Sequence, residues 1–333
     1  MKIQLGNKTI NSLNINEFPF SHVCVVSPHP DDSAIGVGGL IYSLKSVDNV
    51  HISVFVATPG FRGVDHKLIN ENQVLIQNAL YEWLGLKCEN INDIQYLNKQ
   101  LSNRLGEDFQ YFGIPNQPVD QLINNILCTA IRYSEVVEEM KTLGLDPEKS
   151  LNFLALPRLY QGSIVPSEVV RFKKALSDFS NHENPNLLII PHPADPQPVH
   201  QIVAEASLRA LEPEKEWHIW YYQSPWYTIP PRDVDIVIAL DEESMEAKKT
   251  AAEKHKSQTH RTPYADIVRS QVSLNADVLP EQLLGYGRKT LLLFGKYCEV
   301  YQIRLRSFYN PGKETSEINV YSKHPLPLNN KGE

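Results

Sequence analysis

Residues 27–32, which read Ser-Pro-His-Pro-Asp-Asp, combine one histidine with two aspartates within four positions. Imidazole nitrogens and carboxylate oxygens are good zinc ligands, and a His-x-x-Asp loop can place His29 and Asp32 on one ion. Asp31 would then lie beside the metal without being a ligand. Its carboxylate could take a proton from a water molecule whose pKa the metal lowers. The alternative is a simple turn, in which Asp32 or Ser33 caps the following helix.

A second cluster of possible ligands lies in residues 191–200, which read Pro-His-Pro-Ala-Asp-Pro-Gln-Pro-Val-His. A catalytic zinc typically has three protein ligands and one open position, so His192 or His200 could supply the third ligand. We favour His200, because the start of a helix is a rigid platform. The alternative is a proline-rich loop with solvated histidines. Two metal-competent loops in one chain favour a shared metal site.

Both clusters follow a predicted strand and precede a predicted helix. The runs His22–Ser27, Val50–Ala57 and Leu187–Pro191 are continuously apolar, which is typical of strands covered on both faces. Helical patterns follow them at 33–45, 68–84 and 199–211. This alternation predicts an α/β fold with a doubly wound, mostly parallel sheet. In such sheets ligands bind at the carboxyl ends of the strands, where both clusters fall.

In the rest of the chain, predicted strands and helices alternate less regularly. Further strands are expected at Trp217–Tyr222, Val234–Leu240 and 298–305, with a weaker one at Asp93–Leu97; further helices are expected at Glu242–Ser257 and 281–296. Residues 98–182 are interpreted as a helical insertion or cap, with helical patches at Val119–Leu143 and Ser167–Phe179. We therefore expect one α/β domain over 1–306 and a polar tail over 307–333.

Composition excludes several classes of protein. Hydrophobic residues make up 42% and charged residues 21%, which is ordinary for a globular protein. Lys and Arg number 32 against 39 Asp and Glu, and this net charge of −7 disfavours a nucleic-acid or anionic-membrane binder. No apolar run approaches the roughly 18 residues of a membrane span, and the polar N-terminus lacks a signal-peptide core. We expect a soluble, cytoplasmic protein.

The four cysteines, Cys24, Cys88, Cys128 and Cys298, are widely separated in the sequence. They are therefore predicted to be buried free thiols rather than a disulfide framework or a thiolate zinc site. The glycines at 36, 38 and 39 suggest a third class of function, a nucleotide-binding α/β protein. The pattern fails, because G-x-G-x-x-G would need glycine where Ile41 stands, and the glycines fall inside the predicted helix. They are expected to permit close packing of helix on strand.

The motifs resemble those of the PIG-L/LmbE family of zinc-dependent N-acetylglucosaminyl deacetylases. Residues 27–39 resemble the family's H-P-D-D-x-x-x-G-x-G-G, and Asp195–His200 resembles its D-x-H-x-x-H. Weaker similarity extends over 54–63, Lys249–Gln258 and Gly295–Gln302. Residues 199–258 also resemble the deacetylase-like half of some glucosamine-6-phosphate deaminase-type fusion proteins, although no deaminase domain is recognisable in the sequence.

The resemblance implies a Rossmann-like sheet and one metal ion held by His29, Asp32 and His200. The ion would be Zn²⁺, with Fe²⁺ as the alternative because both accept His and Asp ligands. Asp31 would be the general base in the hydrolysis of an N-acetyl amide. The implied partner is a small N-acetylated amino sugar or its conjugate, and the oligomeric state stays open, a homo-oligomer included.

The chain departs from the family pattern at one position that bears on catalysis. Gln197 stands where the family has the first histidine of D-x-H-x-x-H, and glutamine can donate a hydrogen bond but cannot carry a proton. Asp31 would have to move the proton alone, or His192 would have to reach in. The function is therefore an N-deacetylase or, alternatively, a metal-binding pseudoenzyme. Arg62 and Asp195 are the candidate substrate contacts.

The residues near position 255 and the aromatic cluster near position 220 have two readings each. His255, Ser257 and Gln258 either contact substrate or anchor a helix end. The cluster either stacks on sugar rings or belongs to the core or a dimer interface; its members are Trp217, Trp220, Tyr221, Tyr222, Trp226 and Tyr227.

Overall fold

The computed structural model of this chain describes residues 2–5, 8–114, 116–180, 186–212, 215, 217–284 and 295–304. The described residues form one nine-stranded sheet with helices on both faces. The strands are β1 Lys2–Leu5, β2 Lys8–Leu13, β3 His22–Ser27, β4 His51–Val56, β5 Leu151–Phe153, β6 Asn186–Pro191, β7 Trp217–Tyr222, β8 Ile236–Leu240 and β9 Tyr297–Arg304.

The α-helices vary from a single turn to 24 residues in length. They are α1 Asp32–Leu44, α2 Lys67–Glu71, α3 Gln73–Leu84, α4 Ile94–Leu105, α5 Val119–Thr142, α6 Pro147–Ser150, α7 Pro157–Tyr160, α8 Pro166–Phe179, α9 Pro198–Arg209, α10 Glu242–Glu253, α11 Lys256–Thr259 and α12 Tyr264–Leu284. No helix among the described residues has the length and apolar character needed to cross a membrane.

The strand order is β1-β2-β8-β9-β7-β6-β3-β4-β5. Strands β5, β4, β3, β6 and β7 pair in parallel, as does β2 with β8, whereas β9 runs antiparallel to both of its neighbours. From β3 the chain moves outward to β4 and β5, and it then returns to β6 on the other side of β3. The order of the strands therefore reverses between β3 and β6, which is where open α/β sheets bind their ligands.

The central strands are apolar throughout because both faces of the sheet are covered. In β3, Val23 and Val25 pack into the cluster formed with α1, α10 and α12, whereas Cys24 and Val26 pack into the cluster formed with α7, α8 and α9. Successive side chains of a strand point to opposite faces, so a strand buried on both sides reads as a continuous apolar run.

The glycines of α1 bring that helix close to the sheet. A methyl group at Gly36 would collide with the ring of Tyr222 on β7, and one at Gly39 would collide with Leu240 on β8. The expectation of close helix–strand packing is confirmed. Close packing holds the N-terminus of α1 against the carboxyl end of β3.

The described residues of the segment 98–182 are largely helical, and they also contribute β5 to the edge of the sheet. Helices α3, α4 and α5 share a separate apolar cluster with the loop after β4. Tyr160 belongs to that cluster and also borders the site described below. The segment therefore packs beside the carboxyl edge of the sheet, next to the site.

Several predicted elements are revised. The strand expected at Asp93–Leu97 is wrong, because Asp93 caps helix α4 by accepting a hydrogen bond from the backbone N–H of Tyr96. The helix expected at 242–257 ends at Glu253, and residues 256–259 form a separate turn. The helix expected at 281–296 falls mostly on residues 285–294, which lie outside the described residues, as does the tail over 307–333. The four cysteines are free and buried, as expected.

Candidate functional site

The loop after β3 is folded by its own polar side chains. The hydroxyl of Ser27 donates to the carbonyl of His29 and accepts from the N–H of Ser33, which closes the turn into α1. Oδ2 of Asp32 accepts the backbone N–H of His29 at 2.7 Å. These contacts hold the side chains of His29 and Asp32 on the same side of the turn.

His29, Asp32 and His200 come together at the point where the strand order reverses. One ligand atom from each of the three lies within 4.8 Å of the other two. Nδ1 of His29 is 3.1 Å from Oδ2 of Asp32, and Nε2 of His200 is 3.2 Å from the same oxygen. Two imidazoles and one carboxylate are a donor set that zinc accepts with an open coordination position.

Asp195 orients His200 through the ring nitrogen Nδ1, whereas Nε2 of the same ring faces Asp32. Its Oδ2 lies 2.8 Å from Nδ1 of His200, and its Oδ1 accepts the N–H of Gln197. A carboxylate on Nδ1 fixes the imidazole tautomer that leaves Nε2 free as a ligand, and metal sites commonly use this arrangement. The side chain of Asp195 is only 1% exposed and is not part of the cavity wall, so the structure does not bring it to the surface as a substrate contact.

The electrostatics of the cluster favour a bound cation. Burial opposes the charged ring of His200, but the carboxylates of Asp32 and Asp195 raise its pKa to about 10. Burial likewise opposes the charged form of Asp32, but His200 and His29 hold the pKa of that carboxyl well below its usual range. The cluster thus stabilises positive charge at the point where Nε2 of His200 meets Asp32. The residues present fit a divalent metal ion.

Asp31 lies outside the set of three possible ligands and is paired with Arg132. Nη2 of Arg132 lies 2.7 Å from Oδ1 of Asp31, and both side chains are buried. Arg132 comes from α5, a hundred residues further along the chain. The sequence analysis missed this arginine. Its signal was an i, i+3, i+7 row of charges, Arg132, Glu135 and Glu139, on the otherwise apolar face of a long helix.

A cavity of about 240 Å³ opens onto the cluster. His29, Asp31, Asp32 and His200 line it together with Arg132, and its wall also contains side chains from several other loops and helices. These further residues include Arg62, Tyr160, Gln197, Trp226, Gln258 and Tyr264. Burial raises the pKa of both tyrosine hydroxyls, so they are neutral hydrogen-bond donors at ordinary pH.

The two remaining predicted catalytic residues have different positions. Gln197 lines the cavity, and its side-chain amide has no hydrogen-bond partner among the described residues. His192 is not part of the cavity wall. Its Nε2 lies 2.6 Å from Oε1 of Gln302, its Nδ1 accepts the N–H of Ala194, and its ring stacks on Tyr227 with 4.3 Å between the centroids. The structure therefore does not bring His192 to the metal cluster.

Arg62 is an exposed residue at the rim of the cavity. Its guanidinium carbon lies 5.2 Å from the centre of the Tyr160 ring, and no carboxylate among the described residues forms an ion pair with it. Its position leaves the charge available to a ligand.

Of the three residues His255, Ser257 and Gln258, two have a structural role and one belongs to the site. His255 lies 2.8 Å from Glu139, and Ser257 donates both its N–H and its hydroxyl to Glu135. These two residues anchor the helix end to α5, whereas Gln258 lines the cavity.

The similarity noted over Lys249–Gln258 is to a family pattern K-x-x-A-x-x-x-H-x-S-Q. With the histidine of that pattern at His255, its lysine falls on Lys248 rather than Lys249. Lys248 is buried and pairs with Glu299 at 2.5 Å, whereas Lys249 pairs with Glu246 and Glu253 on the outer side of α10.

Comparison with known proteins adds one curated relative and several solved structures. A protein of Bacteroides thetaiotaomicron, named as glucosamine-6-phosphate deaminase-like, is 22% identical over 258 residues, which cover 73% of this chain and 36% of that protein. The chain thus spans about a third of the length of this relative.

Two solved structures share the fold at low sequence identity. A conserved protein of Thermus thermophilus is 16% identical with a TM-score of 0.52, over 88% of this chain and 99% of its own. The 4-carboxy-2-hydroxymuconate hydratase of Pseudomonas putida is 14% identical with a TM-score of 0.51, over 87% and 98%. At these identities the likeness concerns the fold alone.

The profile of the family described as PIG-L, GlcNAc-PI de-N-acetylase, matches residues 24–211. The match covers more than half of the chain and includes both loops that form the cluster of His29, Asp32 and His200. The protein belongs to the PIG-L family.

Proposed function

We propose that the protein is a zinc-dependent N-deacetylase that releases acetate from an N-acetylated amino sugar or a conjugate of one. The observation that carries this proposal is the convergence of His29, Asp32 and His200 at a cavity, with the carboxylate of Asp31 beside them and outside the ligand set. Membership of a de-N-acetylase family supports the reaction class.

The metal would be held by His29, Asp32 and His200. Bound there, zinc would supply Lewis acidity, which polarises an amide carbonyl and lowers the pKa of water toward about 7. Asp31 takes a proton from the attacking water, the carbon–nitrogen bond of the amide breaks, and Asp31 returns the proton to the departing amine. General base catalysis of this kind contributes about 10²–10⁴-fold in rate.

Arg132 acts on this reaction through Asp31. Its buried guanidinium occupies Oδ1 of Asp31 at 2.7 Å, which leaves Oδ2 to face the cavity as the proton acceptor. Arg132 is itself lodged beside Glu135 on α5, so its position is set by the helix rather than by the ligand. We assign it a positioning role.

Gln197 and Arg62 complete the proposed contacts with the substrate. The free amide of Gln197 donates a neutral hydrogen bond to the acyl oxygen as charge develops on it, and removing one such donor costs on the order of 10²–10³ in rate in other enzymes. Arg62 contacts the hydroxyl or anionic groups of the sugar at the rim. Asp195 was expected to contact the substrate. We instead assign it the role of orienting His200.

The test is metal content together with amine release from a panel of N-acetyl amino sugars. We expect about one zinc per chain in protein purified without chelators or a histidine tag, and its loss in His200→Ala. Asp31→Asn should retain the metal and lose activity by about 10²–10⁴-fold. Iron in place of zinc would change the metal assignment only, whereas a protein that takes up no metal on titration would overturn the proposal.

The second candidate function is a metal-binding pseudoenzyme, and the glutamine at position 197 is the observation that favours it. Gln197→His restores a side chain that can carry a proton. If the wild-type protein is an impaired enzyme, the variant should raise turnover. Metal binding without amine release in either protein would favour the pseudoenzyme, and unchanged turnover on a true substrate would contradict any catalytic handicap at Gln197.

A further inference from the structure

The aromatic cluster near β7 is divided between the core and the cavity. Trp217, Trp220, Tyr221 and Tyr222 are buried in the sheet, whereas Trp226 is 50% exposed and lines the cavity. The sixth member, Tyr227, is half-buried and packs against a separate apolar cluster, so Trp226 is the one of the six that lines the cavity. A large half-exposed indole beside a polar cavity leaves an apolar surface available to a ligand.

The loop that carries Trp226 is tightly held. The hydroxyl of Ser224 accepts the N–H groups of Trp226 and Tyr227, and Gln271 on α12 donates to the carbonyl of Ser224 and to Oε1 of Gln223. These hydrogen bonds fix the backbone of this loop. A contact made by the indole thus costs little additional conformational entropy.

Strand order places this loop on one side of the metal cluster and Arg62 on the other. Arg62 follows β4, His29 and Asp32 follow β3, His200 follows β6, and Trp226 follows β7, and these four strands are consecutive in the sheet. Neighbouring strands lie about 4.8 Å apart, so β4 and β7 are separated by about 14 Å. A ligand whose acyl group reaches the cluster lies between a cationic side and an aromatic side.

We propose that Trp226 is the platform on which the ring of the substrate stacks, and that it selects amino sugars in their closed pyranose form. This rests on the proposed deacetylase function. One face of a pyranose presents C–H groups, which an indole covers with release of water, while the hydroxyls around the edge stay available to polar partners such as Arg62. The cavity of about 240 Å³ suits a single ring.

The experiment compares two substrates that differ in the ring. One is the methyl β-glycoside of N-acetylglucosamine, and the other is N-acetylglucosaminitol, the open-chain alcohol with the same acetamide. The variants are Trp226→Ala and Trp226→Phe. The matched control is Tyr81→Ala on α3, which removes an aromatic side chain of similar exposure, 52%, that does not line the cavity.

We expect Trp226→Ala to lower kcat/KM for the glycoside by about 10–100-fold, mainly through KM, and to change that for the open-chain alcohol less than threefold. Trp226→Phe should recover most of the loss, and Tyr81→Ala should match the wild type. Equal losses on both substrates, or no loss on the glycoside, would overturn the inference while leaving the deacetylase intact.

Binding measurements keep the inference testable if no turnover is found. The zinc-loaded wild type and Trp226→Ala would be titrated with the methyl glycoside in a calorimeter. Binding by the wild type that weakens at least tenfold in the variant supports the platform even if the proposed reaction fails. Equal binding by both proteins, or binding by neither, overturns it.

Discussion

Two clusters of histidine and carboxylate side chains lie at the N-terminal end of α1, and they differ in how their polar atoms are satisfied. In the first, His29, Asp32 and His200 bring three ligand atoms together beside an open cavity. In the second, the fully buried carboxylate of Glu139 accepts hydrogen bonds from His255 and from the hydroxyl of Ser33.

The carboxylates of the second cluster are satisfied by donors from two parts of the chain. Glu135 accepts two hydrogen bonds from Ser257, and Glu139 accepts one from Ser33 and one from His255. Both glutamates are buried and neither lines the cavity, so a metal ion in the cavity would not reach their bonded oxygens. In the first cluster, Oδ2 of Asp32 is shared by two imidazoles that face the cavity.

The comparison teaches that residue type does not separate a metal site from a structural network. The two clusters use the same chemistry, and solvent access and the supply of donors decide between binding and stability. Variants in the first cluster should therefore change metal binding, whereas variants in the second should change folding stability.

Removing the histidine of the closed cluster should cost folding stability and not metal. His255→Ala leaves a buried oxygen of Glu139 without its donor, and breaking a buried pair in this way costs about 3–5 kcal/mol. Urea unfolding of the metal-stripped protein measures the loss, and the folded variant should still bind one zinc per chain. His200→Ala is the control for metal binding: it removes a proposed ligand and should abolish zinc uptake, although it also breaks the buried pair with Asp195. Loss of zinc in His255→Ala with retention of zinc in His200→Ala would show that the two clusters had been misassigned.

Weakening the carboxylate behind His200 should act on metal affinity. Asp195→Asn removes the anionic acceptor of Nδ1 of His200, and changes of this kind typically weaken zinc binding by about 10–100-fold. Competition with a chelator measures the affinity. Asp146→Asn, at an exposed helix start, is the matched control and should bind zinc like the wild type. Equal affinities for all three proteins would contradict the orienting role.

The closed cluster should also set a pH dependence of stability. Burial opposes the charged ring of His255, but Glu139 raises its pKa above the ordinary value of 6.5. The folded state therefore holds this proton more tightly than the unfolded state. The stabilisation is complete below pH 6.5 and is lost as the pH rises through the folded-state pKa.

The difference between wild type and His255→Gln reports on the pair of His255 and Glu139, because the pKa of Glu139 also depends on His255, whereas the remaining titrating groups are common to both metal-stripped proteins. The stability advantage of the wild type should shrink between pH 6 and pH 9, with a slope of at most about 1.4 kcal/mol per pH unit. Urea unfolding at several pH values measures the slope. An advantage that stays constant or grows would mean that His255 is not held protonated by Glu139.

The smallest expected effect is at the far end of the helix that leads to His255. Oδ1 of Asp241 accepts the N–H of Ser244 at 2.7 Å and caps α10. Asp241→Ala should cost about 1 kcal/mol in thermal or urea unfolding, and Asp241→Asn should cost much less because asparagine also caps helices. Both variants should keep the wild-type zinc content. A loss of zinc in either would couple α10 to the metal cluster.

The central strands were predictable because burial on both faces of the sheet produces continuous apolar runs in the sequence. The structure places β3 and β7 at the predicted bounds, His22–Ser27 and Trp217–Tyr222. The short edge strand β5, Leu151–Phe153, was missed because its three half-buried residues carry no such pattern. Helix α12, Tyr264–Leu284, was also missed, since its apolar positions are interrupted by polar ones.

The site was predictable only where its residues share a local motif. His29, Asp31 and Asp32 lie in one turn, and His200 follows a second strand at a recognisable spacing. Arg132 and Trp226 lie far from these two motifs in the sequence. The row of charges around Arg132 and the aromatic cluster around Trp226 are visible in the sequence, but neither pattern indicates which of its members lines the cavity. His192 stands in the second motif, but the structure directs its ring to Gln302 and Tyr227.

The sequence by itself determined the metal-competent loops and the strands that end in them, because turn chemistry and continuous apolar runs are local properties of the chain. The tertiary structure decided which histidine faces Asp32, which arginine holds Asp31 and which of the six aromatic side chains lines the cavity. Those choices depend on strand order and helix packing, which bring together residues up to two hundred positions apart, and no local pattern of amino acids encodes such distances.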